Sequence, residues 1–347
     1  MIGLKSEPKR GKRCGESGQT LIFFVLALGV LLGMVAMSVD VGLILHERRS
    51  LQNAADAAAL AGAIELPQSQ TLAGSKAQEW AENNGIDLGA GDEITITVDP
   101  VTNAVEVEAR RETSFIFGRA LGLTTVDVHA SAVAQVGSPA SLAGIMPFAV
   151  LEDAIDYNVS PTTIKYDANN PTTGNFAPLA IDGPGSSIYE DSIVSGSTTS
   201  ACGLSQPTCA DPTEQTQTGN LVGGTRDGIK YRLNNTSQSC DEFDEVLIPD
   251  GNGSYRVNGA CNPWTEGSDS LRLVLIPVVE SFCNGSCTVT ILYFTGFFLD
   301  DLKNNECTGN SCEISGTFVK TVFDPTNDAV LGIFDPDSGV KFVRLVE

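Results

Sequence analysis

Residues 17–39 carry no charged side chain, and the apolar run ends at Asp40. As a helix rising about 1.5 Å per residue, residues 20–39 reach roughly 30 Å, the hydrocarbon thickness of a bilayer. A lone segment in lipid satisfies its backbone only as a helix, so the run is predicted to be helical. The helical pattern does not stop at Asp40. Ile44, Leu51, Ala55, Ala58 and Gly62 fall on one face, while Glu47, Arg48, Gln52, Asn53 and Asp56 lie elsewhere. Pro67 ends the pattern and places the terminus at Glu65 or Leu66. The expectation is one helix over residues 20–65, about 70 Å long, half in lipid and half in water.

Beyond it, residues 71–84 predict a short second helix closed by Gly85. Ile94-Thr-Ile-Thr-Val98 and Val105-Glu-Val-Glu-Ala109 alternate in period two across Asp99-Pro-Val-Thr-Asn103, a hairpin signal. Residues 114–122 predict a third short helix, and residues 124–136 alternate again through Val126, Val128, Ala130, Ala132 and Ala134. After the joint Gly137-Ser-Pro-Ala140 alanine falls and glycine, asparagine, serine and threonine rise, as in β-rich, loop-heavy domains. Strands are expected over residues 271–279 and 288–299, facing each other across Cys283-Asn-Gly-Ser-Cys287. Residues 316–323 and 340–346 add two more. No long helix is expected after residue 140. The chain thus divides into a basic tail (1–16), a transmembrane plus emergent helix (17–66), a small α+β module (67–137) and a β-rich domain (138–347). The fold class is α+β.

Charge and cysteines orient this plan. The net charge is −22, yet residues 1–20 carry +3, which leaves −25 for the rest. A basic tail before the span places the N-terminus in the cytoplasm, and its five basic residues outweigh Arg48 and Arg49 beyond the span. The acidic body argues against nucleic acid or anionic lipid head groups as partners. Cys14 stands alone, whereas the other eight cysteines lie between Cys202 and Cys312, an even cluster that implies disulfides and an oxidising compartment. Closeness in sequence favours Cys202–Cys209, Cys240–Cys261, Cys283–Cys287 and Cys307–Cys312. The apolar run is longer than a signal-peptide core and leads straight into an amphipathic helix, so a retained anchor is expected.

Candidate packing residues lie along the helix. Gly29-Val-Leu-Leu-Gly33 with Ala36 forms a small-residue face, a pattern that lets helices approach closely in lipid. Asp40, an acid at the lipid boundary, could select a basic partner or simply face the interface. Ala55, Ala58 and Gly62 continue as a close-packing face in water. Catalytic signatures do not emerge. His46 and His129 lie far from the cysteines, G-x-S-x-G is absent, and so are the phosphate- and dinucleotide-binding glycine motifs. Asp335-Pro-Asp337-Ser-Gly339 and Asp250-Gly-Asn252-Gly-Ser254 space oxygens as calcium loops do, but both lack the closing glutamate, and turn chemistry accounts for them better. No enzyme, metal or cofactor is expected.

The opening residues resemble a known family. Glu16-x-Gly18-Gln19, the apolar span, Val39-Asp40-Val41-Gly42 and Leu51-Gln-Asn-Ala-Ala-Asp-Ala-Ala-Ala-Leu-Ala-Gly-Ala63 are similar to the N-terminal module of TadE/TadG-like proteins of the Flp (Tad) pilus-assembly machinery. Ala81-Glu-Asn-Asn-Gly85 and the strand over residues 126–136 extend the likeness over residues 14–137. Gly18 followed by Gln19-Thr-Leu-Ile-Phe23 compares with a type IV prepilin cleavage site, with Phe23 in place of the glutamate. Some TadG proteins carry a metal-binding von Willebrand A domain, but Asp182-Gly-Pro-Gly-Ser186-Ser187 has the wrong spacing for it. The resemblance implies a pilin-like, non-catalytic component in the bacterial cytoplasmic membrane, whose partners are other pilus or pilus-assembly membrane proteins. It would act through Gly29, Gly33, Ala36, Asp40, Ala55, Ala58 and Gly62 while displaying an outer domain. A membrane-tethered adhesin or ligand-binding protein, with a surface ligand, is the alternative. An anchored hydrolase would need a nucleophile–base pair that the sequence does not display.

Overall fold

The computed structural model describes residues 19–66, 69–158, 160–204, 206–249, 253–263, 270–302, 307–323 and 330–346. The basic tail, Cys14, the Gly18 comparison, Pro67 and residues 250–252 of the calcium-like turn lie outside the described residues.

Helix α1, Gln19–Glu65, runs 47 residues without interruption. Its apolar half is largely uncovered by the described residues: Leu21, Phe24, Leu31 and Met37 are each more than half exposed, and the span is the one described helix long and apolar enough to cross a membrane. Its second half is the core of a folded module. Helix α2, Gln70–Asn83, starts at Ser69, whose hydroxyl accepts the Leu72 N–H, and lays Ala73, Ala77 and Ala81 on α1. Strands β1 (Glu93–Asp99), β2 (Ala104–Ser114) and β3 (Thr125–Gly137) form an antiparallel sheet on the remaining side. Val105, Val107 and Ala109 alternate inward from β2 and Val128, Ala130, Ala132 and Ala134 from β3, all onto the alanine rows of α1. A methyl on each alanine buries little apolar area. What it supplies is short distance, so helix, helix and sheet backbones come close enough to exclude water.

The first sheet does not end with β3. Val340–Leu345, the last described strand, pairs antiparallel with β3, and the sheet continues through Thr321–Phe323 and Tyr255–Val257 to Leu247–Pro249. Hydrogen bonding therefore crosses the joint expected at residues 137–140, because β3 offers an unpaired edge that a strand from the far end of the chain fills. A second sheet orders Thr162–Asp167, Ser311–Val319, Thr288–Asp301, Leu273–Val279, Phe148–Leu151 and Phe176–Pro178. Its central hairpin pairs Leu273 with Phe298 through Val278 with Tyr293, across the Cys283–Cys287 turn. The described cysteines pair as Cys202–Cys209, Cys240–Cys261, Cys283–Cys287 and Cys307–Cys312.

One expectation fails. Residues 114–122 hold only a single 3-10 turn, Gly118–Leu121, because the amides that would start a helix are bonded elsewhere. The helices described after residue 140 are short, the two longest 10 and 14 residues. Ser186–Ser195 and Val222–Asn235 pack Tyr189, Ile193, Val222 and Ile229 onto the second sheet. Gly223, Gly224 and Gly228 of the second helix read as loop, since each costs about 1 kcal/mol in a helix interior. Gly228 serves contact instead: a Cβ there would sit 2.6 Å from Ile193 Cγ2, so only glycine permits this crossing.

Candidate functional site

The residues of chemical interest cluster where α1 leaves the apolar run. Asp40 is buried (6% exposed), and its carboxylate accepts the backbone N–H groups of Ile116 at 2.8 Å, Phe117 at 3.2 Å and Gly118 at 2.7 Å. Desolvation opposes ionisation, but the three amides of Ile116, Phe117 and Gly118 outweigh it and hold the carboxyl below its usual range. Asp40 thus has its partner inside the chain, in backbone amides rather than in a basic residue of another protein.

About two helical turns further on, Glu47 accepts from Arg111 at 2.8 Å. The Arg111 guanidinium also donates to both oxygens of Asp92, at 2.8 and 2.5 Å, and to the Gly85 carbonyl at 2.6 Å. This Arg111 contact holds Asp92 below the ordinary carboxylate range, and Asp92 and Glu47 raise Arg111 in turn. Gln52 donates to the Ser131 carbonyl at 2.8 Å. At the far end Arg256 donates to the buried Glu65 at 2.8 Å and ties the helix to a strand of the second half of the chain. The emergent half of α1 is therefore clasped at four heights. Sequence reasoning missed Arg111, Asp92 and Arg256. A signal for the first was present: Arg111 continues the inward register of Val105, Val107 and Ala109, and a charge on an apolar face needs a counter-charge.

The expected packing residues separate into two sets. A Cβ on Gly29 or Gly33 would meet nothing within 4 Å among the described residues, and Ala36 is half-buried. Ala55, Ala58 and Gly62 do pack closely, but against their own chain. A Cβ on Gly62 would lie 3.0 Å from both the Ala73 carbonyl oxygen and Ala77 Cβ, and 3.1 Å from Val105 Cγ1. The expectation that this face meets other helices is corrected: α2 and β2 already cover it.

Elsewhere, Asp182 accepts from the Ser192 hydroxyl at 2.7 Å and from the Thr198 and Thr199 amides at 3.0 and 2.7 Å. Burial alone would raise its carboxyl, yet these donors bring it down to about 2. It fastens a loop to a helix. Asp335 folds back on its own turn, accepting the Asp337 N–H at 3.0 Å. Among the described residues no three His, Cys, Asp or Glu side chains come together as a metal site. His46 and His129 are exposed. A surface cleft of about 560 Å³ is lined by Tyr157, Tyr255, Lys320, Phe334 and Lys341. Lys320 Nζ lies 4.9 Å over the Tyr157 ring and Lys341 Nζ 4.4 Å over Phe334. Burial, then the nearby Lys320, brings Lys341 down to about 8.

The family model of Flp pilus-assembly TadE/G-like proteins matches residues 18–65, and that of Tad-like Flp pilus-assembly proteins matches residues 45–134. Together they cover α1, α2, the hairpin, the loop bound by Asp40 and all but the last three residues of β3. Neither a curated protein nor a solved structure matches the chain. The matched residues build the long helix and all of its clasp but Arg256, and over residues 18–134 the chain is similar to the TadE/G-like Flp pilus-assembly proteins.

Proposed function

We propose that the protein is a non-catalytic, single-pass component of a Tad/Flp pilus, minor pilin-like or part of the assembly base. Its N-terminus faces the cytoplasm and its disulfide-bonded part is displayed outside. Residues 17–66 act as anchor and stalk, residues 67–137 as the clasped α+β module, and residues 138–347 as the displayed part. The observation that carries this reading is the split between two small-residue faces. Ala55, Ala58 and Gly62 are used within the chain, whereas Gly29 and Gly33 are open along the apolar run. Open glycines in a membrane helix are the surface on which a second helix packs most closely. Pulldown of the membrane complex with Gly33→Leu tests the proposal. Recovery of pilus-system partners is expected to fall, and unchanged recovery would count against helix-mediated assembly.

The cleft between Lys320 and Lys341 favours a second reading, a tethered adhesin that takes an anionic surface ligand. In a chain of net charge −22, two half-buried cations over aromatic rings form a place for a carboxylate or sulfate group. Residues 41–347, expressed oxidised, are the suitable reagent, since cutting at 138 would strip Val340–Leu345 of its partner β3. Binding to acidic glycans that Lys341→Gln abolishes would support the adhesin; equal binding by the variant would end it.

A further inference from the structure

The loop after β2, Phe115-Ile-Phe-Gly-Arg-Ala-Leu-Gly-Leu123, exposes four large apolar side chains within eight residues. Ile116 is 57% exposed, Phe117 47%, Leu121 84% and Leu123 52%. The loop contains no acid and one basic residue, Arg119. In a chain this acidic, such a stretch is out of keeping with a water-facing turn. Its position is not arbitrary either. The Ile116, Phe117 and Gly118 amides are bonded to Asp40, which directly follows the last residue of the apolar run. One residue of helix is about 1.5 Å, so the loop sits at the level where the hydrocarbon ends and the head groups begin.

The rest of the module agrees on the direction. Gly62 contacts Val105 at the start of β2, and Asp40 contacts the segment just after its end, so β2 descends along α1 toward the apolar run. The turn at the other end of β2 contains Asp99, Thr102 and Asn103. Eleven strand residues place it about 35 Å further out. The apolar loop lies at the membrane end and the polar turn at the distal end.

We infer that residues 116–123 are a second membrane contact: Ile116, Phe117, Leu121 and Leu123 enter the leaflet from which α1 emerges, and Arg119 reaches the lipid phosphates. Asp40 is the positioning residue. Ligating three amides leaves their side chains pointing away from the helix, at a fixed depth. Apolar side chains with a basic neighbour at this depth match the composition of interfacial segments. Held at two points, the helix and the loop, the stalk cannot swivel freely about its own axis.

This inference rests on α1 being a membrane span, and the test separates the two. Full-length protein with Cys14→Ser receives a single cysteine at Leu121, Leu31 or Val101, bearing an environment-sensitive fluorophore. It is reconstituted in phosphatidylethanolamine–phosphatidylglycerol vesicles containing nitroxide lipids, spin-labelled either at the head group or deep in the acyl chain. The Leu121 label is expected to be blue-shifted and to lose emission to the shallow nitroxide. The Leu31 label should lose emission to the deep one, and the Val101 label to neither. Quenching at Leu31 but not at Leu121 overturns the inference alone; no quenching at Leu31 overturns the span as well. A blue-shifted Leu121 label that neither nitroxide reaches would put protein rather than lipid on the loop, and would also overturn it. Asp40→Asn should weaken quenching of the Leu121 label while leaving that at Leu31 unchanged, which a purely structural loop would not require.

Discussion

One helix carries two runs of small residues, and they meet opposite fates. In the apolar half Gly29 and Gly33 face open space; in the emergent half Ala55, Ala58 and Gly62 are sealed under α2 and β2. Composition does not distinguish them, since either face would let a neighbour approach. What distinguishes them is the solvent. In water, the emergent half gains by burying apolar rows under a sheet of its own chain. In lipid the tails are as apolar as the side chains, so that drive is missing, and a helix face stays open until a partner fits it. Small residues therefore mark close approach, and the surroundings decide whether the approach is within the chain or between chains.

The largest effect that would sharpen this contrast comes from enlarging one glycine in each half. Gly62→Leu forces a branched side chain against a backbone carbonyl and two packed side chains, and should cost about 3 kcal/mol or prevent folding of the module. Gly33→Leu should leave the thermal midpoint in detergent where it is. Equal midpoints for both variants would break the comparison.

A smaller effect is expected at the clasp. Arg111→Met leaves Asp92 nearly buried with its main donor gone, at a cost of about 2 kcal/mol once the partial exposure of Arg111 is allowed for. The acid profile checks the cause. Arg111 lowers the folded-state pKa of Asp92, so its contribution is complete above about pH 4, the unfolded carboxylate range, and is lost as the pH falls further. Denaturation curves of the two proteins should converge as pH drops below that value. A difference that stays constant down to pH 2 would assign the loss to packing instead.

Local patterns were the legible part. The span announced itself by length and lack of charge, the helix end by Pro67, and the hairpin by alternation around Asp99-Pro-Val-Thr-Asn103. The four cysteine pairs seen in the structure join neighbours in sequence, between 4 and 21 residues apart. Contacts between distant residues were not legible. Asp40 meets amides 76 to 78 residues away, and nothing local to either segment encodes the other. Residues 114–122 read as helix for the same reason: their amides are satisfied from α1, outside any window that periodicity can examine. The glycine-rich helix Val222–Asn235 escaped notice because its glycines cost helix propensity and repay it only in contact with Ser186–Ser195.

By itself the sequence determined that a charge-free run of bilayer length continues as a small-residue helix, because rise per residue and hydrophobicity are properties of the segment alone. It favoured neighbouring cysteines as partners, although eight cysteines permit 105 connectivities. Only the tertiary structure decided that the alanine rows are covered from within, that Asp40 holds a distant loop where the apolar run ends, and that Val340–Leu345 extends the sheet begun by β1. Those outcomes depend on which distant surface happens to fit, and fit between surfaces is set by the whole chain at once.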